Sequence, residues 1–265
     1  MVKIGGATFG RHEPTVLDIG DVEDVVELQR RGKSLIIVHG GGALITEWLT
    51  KRGISSRFVQ GERVTDRATL EVAISVLAGL VNKEIVAAIN SRGGQAIGIS
   101  GVDGAFIQGE VKNIELGYVG RVVKVTLAPL EALLQSGYIP VVAPLGLHSK
   151  DKPDQAPQIL NINADVVAGE IAATIGAERL IFLTDVVGIC DQQDKLIPQL
   201  SLSEAEALMV SGVASGGMIP KIKACLRALS NTSTTCIVDG RQPHALLREV
   251  EGGSGGTTIQ AVMRG

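Results

Sequence analysis

The run Ser34–Glu47, SLIIVHGGGALITE, constrains this chain more than any other stretch. Leu35–Val38 is a continuous apolar segment, which reads as a strand buried on both faces of a parallel sheet. It breaks at His39-Gly40-Gly41-Gly42, and from Ala43 to Leu49 apolar residues return at helical spacing. A strand running through three glycines into a helix sets bare backbone N–H groups and a positive helix end at the carboxyl edge of the sheet. Glycine lets an anion reach the backbone with no Cβ in the way, so the stretch predicts an anion site. A tight turn accounts for one glycine; three in this position point to a ligand. The run is neither GxGxxG nor GxxxxGK[ST], so neither the dinucleotide nor the P-loop fingerprint applies.

The remaining pattern alternates strands and helices. Met1–Ile4, Ala96–Ser100, Ile139–Pro144, Arg179–Thr184 and Thr235–Val238 read as strands, and Phe106–Val125 as an antiparallel hairpin turning at Leu116-Gly117. Helices are predicted over Asp21–Arg31, Arg67–Asn90, Leu130–Ser136, Asn163–Gly176 (capped by Asn163 or Asp165), Ser203–Val210 and Ile219–Leu229. Ser203-x-x-Glu206 reads as a capping box, and His244–Glu249 as a last helical turn or two. Phe58–Asp66 reads as irregular and Ser149–Pro157 as a loop. No repeat or linker interrupts the chain. The expectation is α/β: one domain over residues 1–265, a mostly parallel sheet covered by helices on both faces, with a hairpin attached.

Composition narrows the partners. Aromatic residues are only 3% against 45% hydrophobic, so the core must be aliphatic. Net charge is −3 with no basic block, which argues against nucleic acid. Cys190, Cys225 and Cys236 have neither zinc nor CxxC spacing, so reduced thiols and no metal site are expected. The opening MVKIGG reads as a strand and not a signal peptide, and no uncharged run reaches transmembrane length. A soluble cytoplasmic protein with no membrane partner is expected.

Several short segments carry chemistry. Lys3 ends the first strand just before Gly5-Gly6, and a buried lysine there is costly unless it serves a ligand. Arg63, in Gly61-Glu62-Arg63-Val64-Thr65-Asp66, is either a fork for a carboxylate or half of a surface pair. Asn161, Asn163 and Asp165 stand at alternate positions ahead of an apolar helix; an N-cap explains one of the three. Thr184-Asp185-Val186-Val187-Gly188 follows a strand like a loop beneath a nucleotide. Ser215-Gly216-Gly217-Met218 and Lys221 put glycines and a lysine at a helix start.

These segments, in order and across nearly the whole chain, resemble the amino acid kinase family, and within it the branch acting on N-acetyl-L-glutamate. The matching pieces include VKIGG (2–6), VHGGG (38–42), RVTD (63–66), NINAD (161–165), LTDVVGI (183–189), GGMIPK (216–221) and DGRQPHALLRE (239–249). Glu62 and Val102 depart from the pattern: the first position is usually apolar, the second usually lysine. The resemblance implies a three-layer αβα sandwich and ATP-dependent phosphorylation of the γ-carboxylate of N-acetyl-L-glutamate, with Mg²⁺ carried by ATP. An aminoadipate derivative is the nearest alternative substrate. A catalytically silent sensor is the alternative of another class; it would be marked by a missing lysine, and Lys3, Asp165 and Lys221 are all present.

By the same resemblance, Lys3 and Lys221 approach the transferring phosphoryl group from opposite sides, with Asp165 orienting both. Gly41, Gly42, Arg63, Asn161 and Asn163 would hold the acyl amino acid. Gly5, Gly6, Thr184, Asp185, Val187, Gly188, Ser215, Gly216, Gly217 and Met218 would line the nucleotide side. The first strand begins too early for the N-terminal helix that joins dimers into rings in arginine-inhibited members. The implied assembly is therefore a homodimer that arginine barely affects, although His244–Glu249 resembles an arginine-binding segment.

Overall fold

In the computed structural model, which describes residues 1–5, 19–149, 156–253 and 255–261, Lys3 sits in the middle of a central sheet. Gly6 and most of the expected 149–157 loop lie outside the described residues. In chain order the elements begin with strand β1 (Val2–Ile4), helix α1 (Ile19–Arg30), β2 (Ile37–His39) and α2 (Gly42–Lys51). The short strands β3 (Phe58–Val59) and β4 (Glu62–Arg63) follow, then α3 (Arg67–Ile74), a π-helical segment over Ser75–Val81, and α4 (Asn82–Ser91). Next come β5 (Ala96–Ser100), β6 (Ile107–Val111), β7 (Val119–Val125), α5 (Ala128–Gln135), β8 (Ile139–Ala143), β9 (Leu145–His148) and β10 (Ile159–Ile162). The chain continues with α6 (Ala164–Ile175), β11 (Arg179–Thr184), β12 (Gln199–Ser201), α7 (Leu202–Val210), α8 (Met218–Ala228), β13 (Thr234–Asp239), α9 (Ala245–Val250) and β14 (Gly256–Gln260).

Eight strands form one sheet in the order β12-β14-β13-β11-β1-β2-β8-β5. All neighbouring pairs are parallel except β13–β14. Helices cover both faces, and the alternation of side chains along each strand decides which residue meets which layer. Val2 and Ile4, Ile37, Val141, Ile181 and Cys236 point into one core, shared with α1, α2, α3, α4 and α9. Val38, Val142, Phe182 and Ile237 point into the other, shared with α5, α6, α7 and α8. With Val2 and Ile4 on the first face, Lys3 must face the second, beneath α6 and α8. The expected αβα sandwich is the observed one.

Helices α3 and α4 form one continuous rod from Arg67 to Ser91, long and apolar enough by composition to cross a bilayer. Its apolar side is used inside the domain: Val72, Val76, Leu77, Val81, Ile85 and Ile89 are buried in the first core.

Four features differ from the sequence expectations. Phe58–Arg63 is not irregular: β3 and β4 pair as a small hairpin, Phe58 opposite Arg63. The hairpin of β6 and β7 belongs to a closed four-stranded barrel with β9 and β10. These two strands, and β12 and β14, carry glycine or polar residues that break an apolar run. The capping box at α7 is Ser201 with Glu204, not Ser203 with Glu206: the Ser201 hydroxyl accepts from the Glu204 N–H, and the Glu204 carboxylate accepts from the Ser201 N–H at 2.7 Å. The helix starts at Leu202, so the cap falls two residues earlier. The rod also carries a π segment that helical periodicity does not reveal.

Candidate active site

The carboxyl ends of β1 and β2 and the start of α6 meet at one point on the sheet edge. Lys3 is 6% exposed, and its Nζ lies 2.7 Å from Asp165 Oδ1. Lys221, on the first turn of α8, places its Nζ 3.3 Å from Asp165 Oδ2. One buried carboxylate thus spans two ammoniums, the three groups being carried by three separate elements. The Lys3 contact is a close charge pair rather than a well-directed hydrogen bond. Burial pushes the Lys3 amine below the ordinary lysine range, against the opposing pull of Asp165. Burial also opposes the Asp165 anion, but Lys3 and Lys221 together outweigh it and hold the carboxyl below its usual value. Asp165 is a carboxylate at neutral pH.

Beside this trio, Gly40, Gly41, Gly42, Arg63, Asn161, Asn163 and Ala164 line a cavity of about 210 Å³. Gly40 N–H donates to Ile4 O at 3.0 Å, which docks the glycine loop against the strand bearing Lys3. A Cβ on Gly41 would meet Leu77 Cδ2 at 2.8 Å, so the loop packs closely on the long helix there and a side chain would have to displace Leu77. No protein atom would meet one on Gly42, so packing does not account for the second. Neither N–H donates to another backbone group among the described residues.

Arg63 is not half of a surface pair. It is 9% exposed, its Nη1 donates to Ser56 Oγ at 2.8 Å, and its Nη2 donates to Gly42 O and Thr46 Oγ1, both at 2.7 Å. Its guanidinium stands over the Phe58 ring, 4.8 Å from the centroid. Every one of these partners is neutral, and among the described residues no carboxylate pairs with it. An uncompensated buried cation at the wall of a cavity favours an anionic occupant. Asn161 donates through Nδ2 to Thr65 Oγ1 at 3.1 Å. Asn163, not Asp165, caps α6, accepting from the N–H groups of Asp165 and Val166. That frees the Asp165 carboxylate for the lysines.

The other expected residues group at the carboxyl end of β11 and the start of α8. Thr184 is buried and donates to Asp185 Oδ1 at 3.2 Å. Asp185 and Val187 are exposed, and Asp185 is near enough to Lys3 to favour its charged form. Gly188 is buried against Leu196 and Thr257. Ser215, Gly216 and Gly217 are exposed at the head of α8, with Met218 partly buried. Gly5 closes the first strand, its N–H bonded to Leu183 O at 2.8 Å.

Sequence reasoning missed Ser56, Thr46 and Thr65, which hold Arg63 and Asn161. Thr65 was within reach, being part of the RVTD run; Thr46 is a lone hydroxyl on a helix read only for its apolar face, and Ser56 lies in a segment with no pattern. Glu62, one of the two departures, lines the cavity and pairs with Lys112. Val102, the other, packs at the margin of the first core.

A buried Lys–Asp–Lys bridge thus adjoins a cavity walled by glycines and a buried arginine, at the carboxyl edge of a parallel sheet covered on both faces. Residues 1–239 match the model of the amino acid kinase family. A protein of Dehalococcoides mccartyi (strain BAV1) named acetylglutamate kinase is 45% identical over 98% of this chain and 93% of its own length. One of the same name from Nostoc sp. (strain PCC 7120) is 47% identical over 94% of this chain and 83% of its own. The solved structure of N-acetylglutamate synthase from Neisseria gonorrhoeae, complexed with coenzyme A and N-acetyl-glutamate, superposes with a TM-score of 0.83 at 24% identity. It covers 99% of this chain and 59% of that one, and shows the shared fold. The chain belongs to the amino acid kinase family, and it is a kinase.

Proposed function

We propose that this chain transfers the γ-phosphoryl group of ATP to the side-chain carboxylate of N-acetyl-L-glutamate, the acyl-phosphate-forming step of arginine biosynthesis. The observation that carries the reading is the Lys3–Asp165–Lys221 bridge adjoining the cavity of Gly41, Gly42, Arg63 and Asn161. The relatives' shared name supplies the acceptor.

The chemistry suits these residues. A carboxylate with a reference pKa of about 4.3 is already ionised at neutral pH, so the nucleophile needs no general base. The barrier lies in bringing two anions together and stabilising charge that spreads over the transferring group. Lys3 and Lys221 supply positive charge on either side of that group, and Asp165 holds their spacing. The Gly41 and Gly42 N–H groups hold the accepting carboxylate, and Arg63 with Asn161 and Asn163 holds the α-carboxylate and acylamide end. Gly5, Thr184, Asp185, Val187, Gly188 and Ser215–Met218 line the nucleotide side, where the positive end of α8 favours phosphate. Mg²⁺ enters as part of the MgATP substrate.

We place the enzyme in the cytoplasm as a homodimer. Support for the dimer comes from the exposed residues Ser75, Gly79, Lys83 and Ala87 on the rod of α3 and α4, three of them small enough to allow a second copy to approach. ATP-dependent hydroxamate formation tests the reading on three acceptors: acetylglutamate, acetylaminoadipate and aspartate. Turnover strongest on acetylglutamate is expected; a preference for acetylaminoadipate, or no turnover on any of them, overturns it.

A further inference from the structure

His39 ends β2 on the face opposite Lys3, pointing at the long helical rod, and it is completely buried. Its Nδ1 lies 2.8 Å from Gly40 O and its Nε2 lies 3.3 Å from Asn82 Nδ2. The surroundings of Asn82 fix which way its amide faces. Nδ2 donates to the Val141 carbonyl at 2.8 Å, and Oδ1 accepts from Lys83 Nζ at 3.1 Å. A flipped amide would set oxygen against carbonyl oxygen and N–H against ammonium. With Nδ2 as the donor, the facing Nε2 of His39 must be a bare acceptor. Nδ1, against a carbonyl oxygen, must then carry the proton. Burial, and the nearby charges of Lys3 and Lys83, push the imidazole to about 4 despite its bond to Gly40, so it stays neutral in the working range.

The fold makes room for this network. A Cβ on Gly98 would fall 1.8 Å from Asn82 Oδ1, so β5 must carry glycine where the amide crosses it. Asn82 itself is the residue at which the π segment Ser75–Val81 returns to α-helix. The wider turn changes the angular position of everything after it, and such bulges concentrate at functional sites.

We infer that His39 is a positioning residue for the reaction: as the Nδ1–H tautomer, oriented by Asn82, it anchors the Gly40 carbonyl and so aims the N–H group of Gly41, in the same peptide plane, into the cavity. Gly40 is held at both ends, its N–H by Ile4 O at 3.0 Å and its carbonyl by His39. The Gly40–Gly41 peptide therefore has one orientation, and the Gly41 N–H has its direction set without any ligand present; the Gly42 N–H belongs to the next peptide, whose Gly41 carbonyl accepts from Ile45 N–H at 3.0 Å. His39 touches no substrate and moves no proton. Lys3 and His39, on opposite faces of adjacent strands, divide the work: one supplies charge, the other fixes a backbone dipole.

The inference rests on the proposed reaction, and two measurements keep the two apart. Nitrogen-15 spectra of the wild-type enzyme report the tautomer directly, with only 4 histidines to distinguish. Kinetics of His39→Leu, His39→Asn and His39→Gln report its use. An asparagine amide N–H takes the place of Nδ1–H; a glutamine amide reaches the place of Nε2. The spectra should show protonated Nδ1 and bare Nε2 across neutral pH. His39→Leu should lower kcat by about 10- to 10²-fold, the scale of a small misplacement of reacting groups. KM for MgATP should not move, and His39→Asn should recover most of the loss where His39→Gln does not. An Nε2–H ring or an imidazolium, a wild-type kcat in folded His39→Leu, or an Asn variant no better than Leu overturns the inference. If the variants fail to fold, the wild-type spectra still decide the tautomer. An inactive wild type would instead sink the functional reading, whatever the tautomer.

Discussion

Asp165→Asn keeps the shape of the bridging side chain and removes its charge. Asp165 is 5% exposed and stands 2.7 Å from Lys3 and 3.3 Å from Lys221, so both ammoniums depend on it for compensation. An amide has one oxygen and one NH₂; it accepts from one lysine and turns a donor towards the other. Removing one partner of a buried ion pair costs roughly 3–5 kcal/mol. Asparagine keeps one of the two contacts, so the lower end, about 3 kcal/mol, applies. At about 2–4 °C per kcal/mol for a chain of this size, the melting temperature should fall by roughly 6–12 °C at neutral pH. The pH dependence has a definite sign. Because the folded carboxyl titrates below its unfolded value of about 3.9, its contribution is complete above that value and is lost as pH falls through the folded one. The gap between wild type and variant should be flat from neutral pH down to about 5 and close below about 4. Thermal melts of a double-mutant cycle with Lys3→Met separate this account from simple misfolding. With one ammonium gone, Asp165→Asn should be markedly less damaging. An equal loss in both backgrounds, or a melting temperature within about 2 °C of wild type, would refute the bridge.

Lys221→Ala and Lys3→Ala should each lower kcat by about 10² or more with little change in KM, as for loss of a preorganised electrostatic donor; steady-state kinetics with near-normal turnover in either would remove that residue from the mechanism. Arg63→Lys keeps charge but cannot reach Ser56, Gly42 O and Thr46 together, so KM for the acyl amino acid should rise while that for ATP stays put. His244 donates from Nδ1 to Asp24 Oδ1 at 2.7 Å, and this hydrogen bond raises its imidazole above the ordinary value. Its contribution is full below the unfolded pKa of about 6.5 and fades as pH rises through the raised one, so melts of wild type and His244→Gln should converge towards alkaline pH. Light scattering on the purified chain should give a dimer mass, and a monomer would count against the exposed stripe on the rod.

The sheet and its edge were legible because β2 and β11 are buried on both faces and print as unbroken apolar runs, and because lysine in such a run demands a reason. Lys3 was legible for the same cause; Asp165 and Lys221 were picked out by the family resemblance, because a carboxylate near a helix start and a lysine in a first turn are ordinary by themselves. What escaped was held by geometry with no local pattern. Ser201 and Glu204 lost the cap to a neighbouring Ser-x-x-Glu of identical form, and only the strand β12 ending at Ser201 decides between them. Closure of the β6–β7 hairpin into a barrel with β9 and β10 is invisible because Gly146 and Asn161 break the apolar runs of those two strands. His39 could be read only as part of the loop; its partner lies 43 positions away on another element.

The central claim is that a side-chain carboxylate oxygen attacks phosphorus. Acetylglutamate labelled with oxygen-18 in its γ-carboxylate, incubated with MgATP and trapped with hydroxylamine, tests it directly. Attack by that oxygen makes it the bridge of an acyl phosphate, and hydroxylamine then displaces phosphate from the carbonyl carbon with the bridge attached. The account predicts labelled inorganic phosphate by mass spectrometry, in step with hydroxamate. Unlabelled phosphate, or labelled phosphate from a substrate carrying oxygen-18 in its α-carboxylate instead, would contradict it.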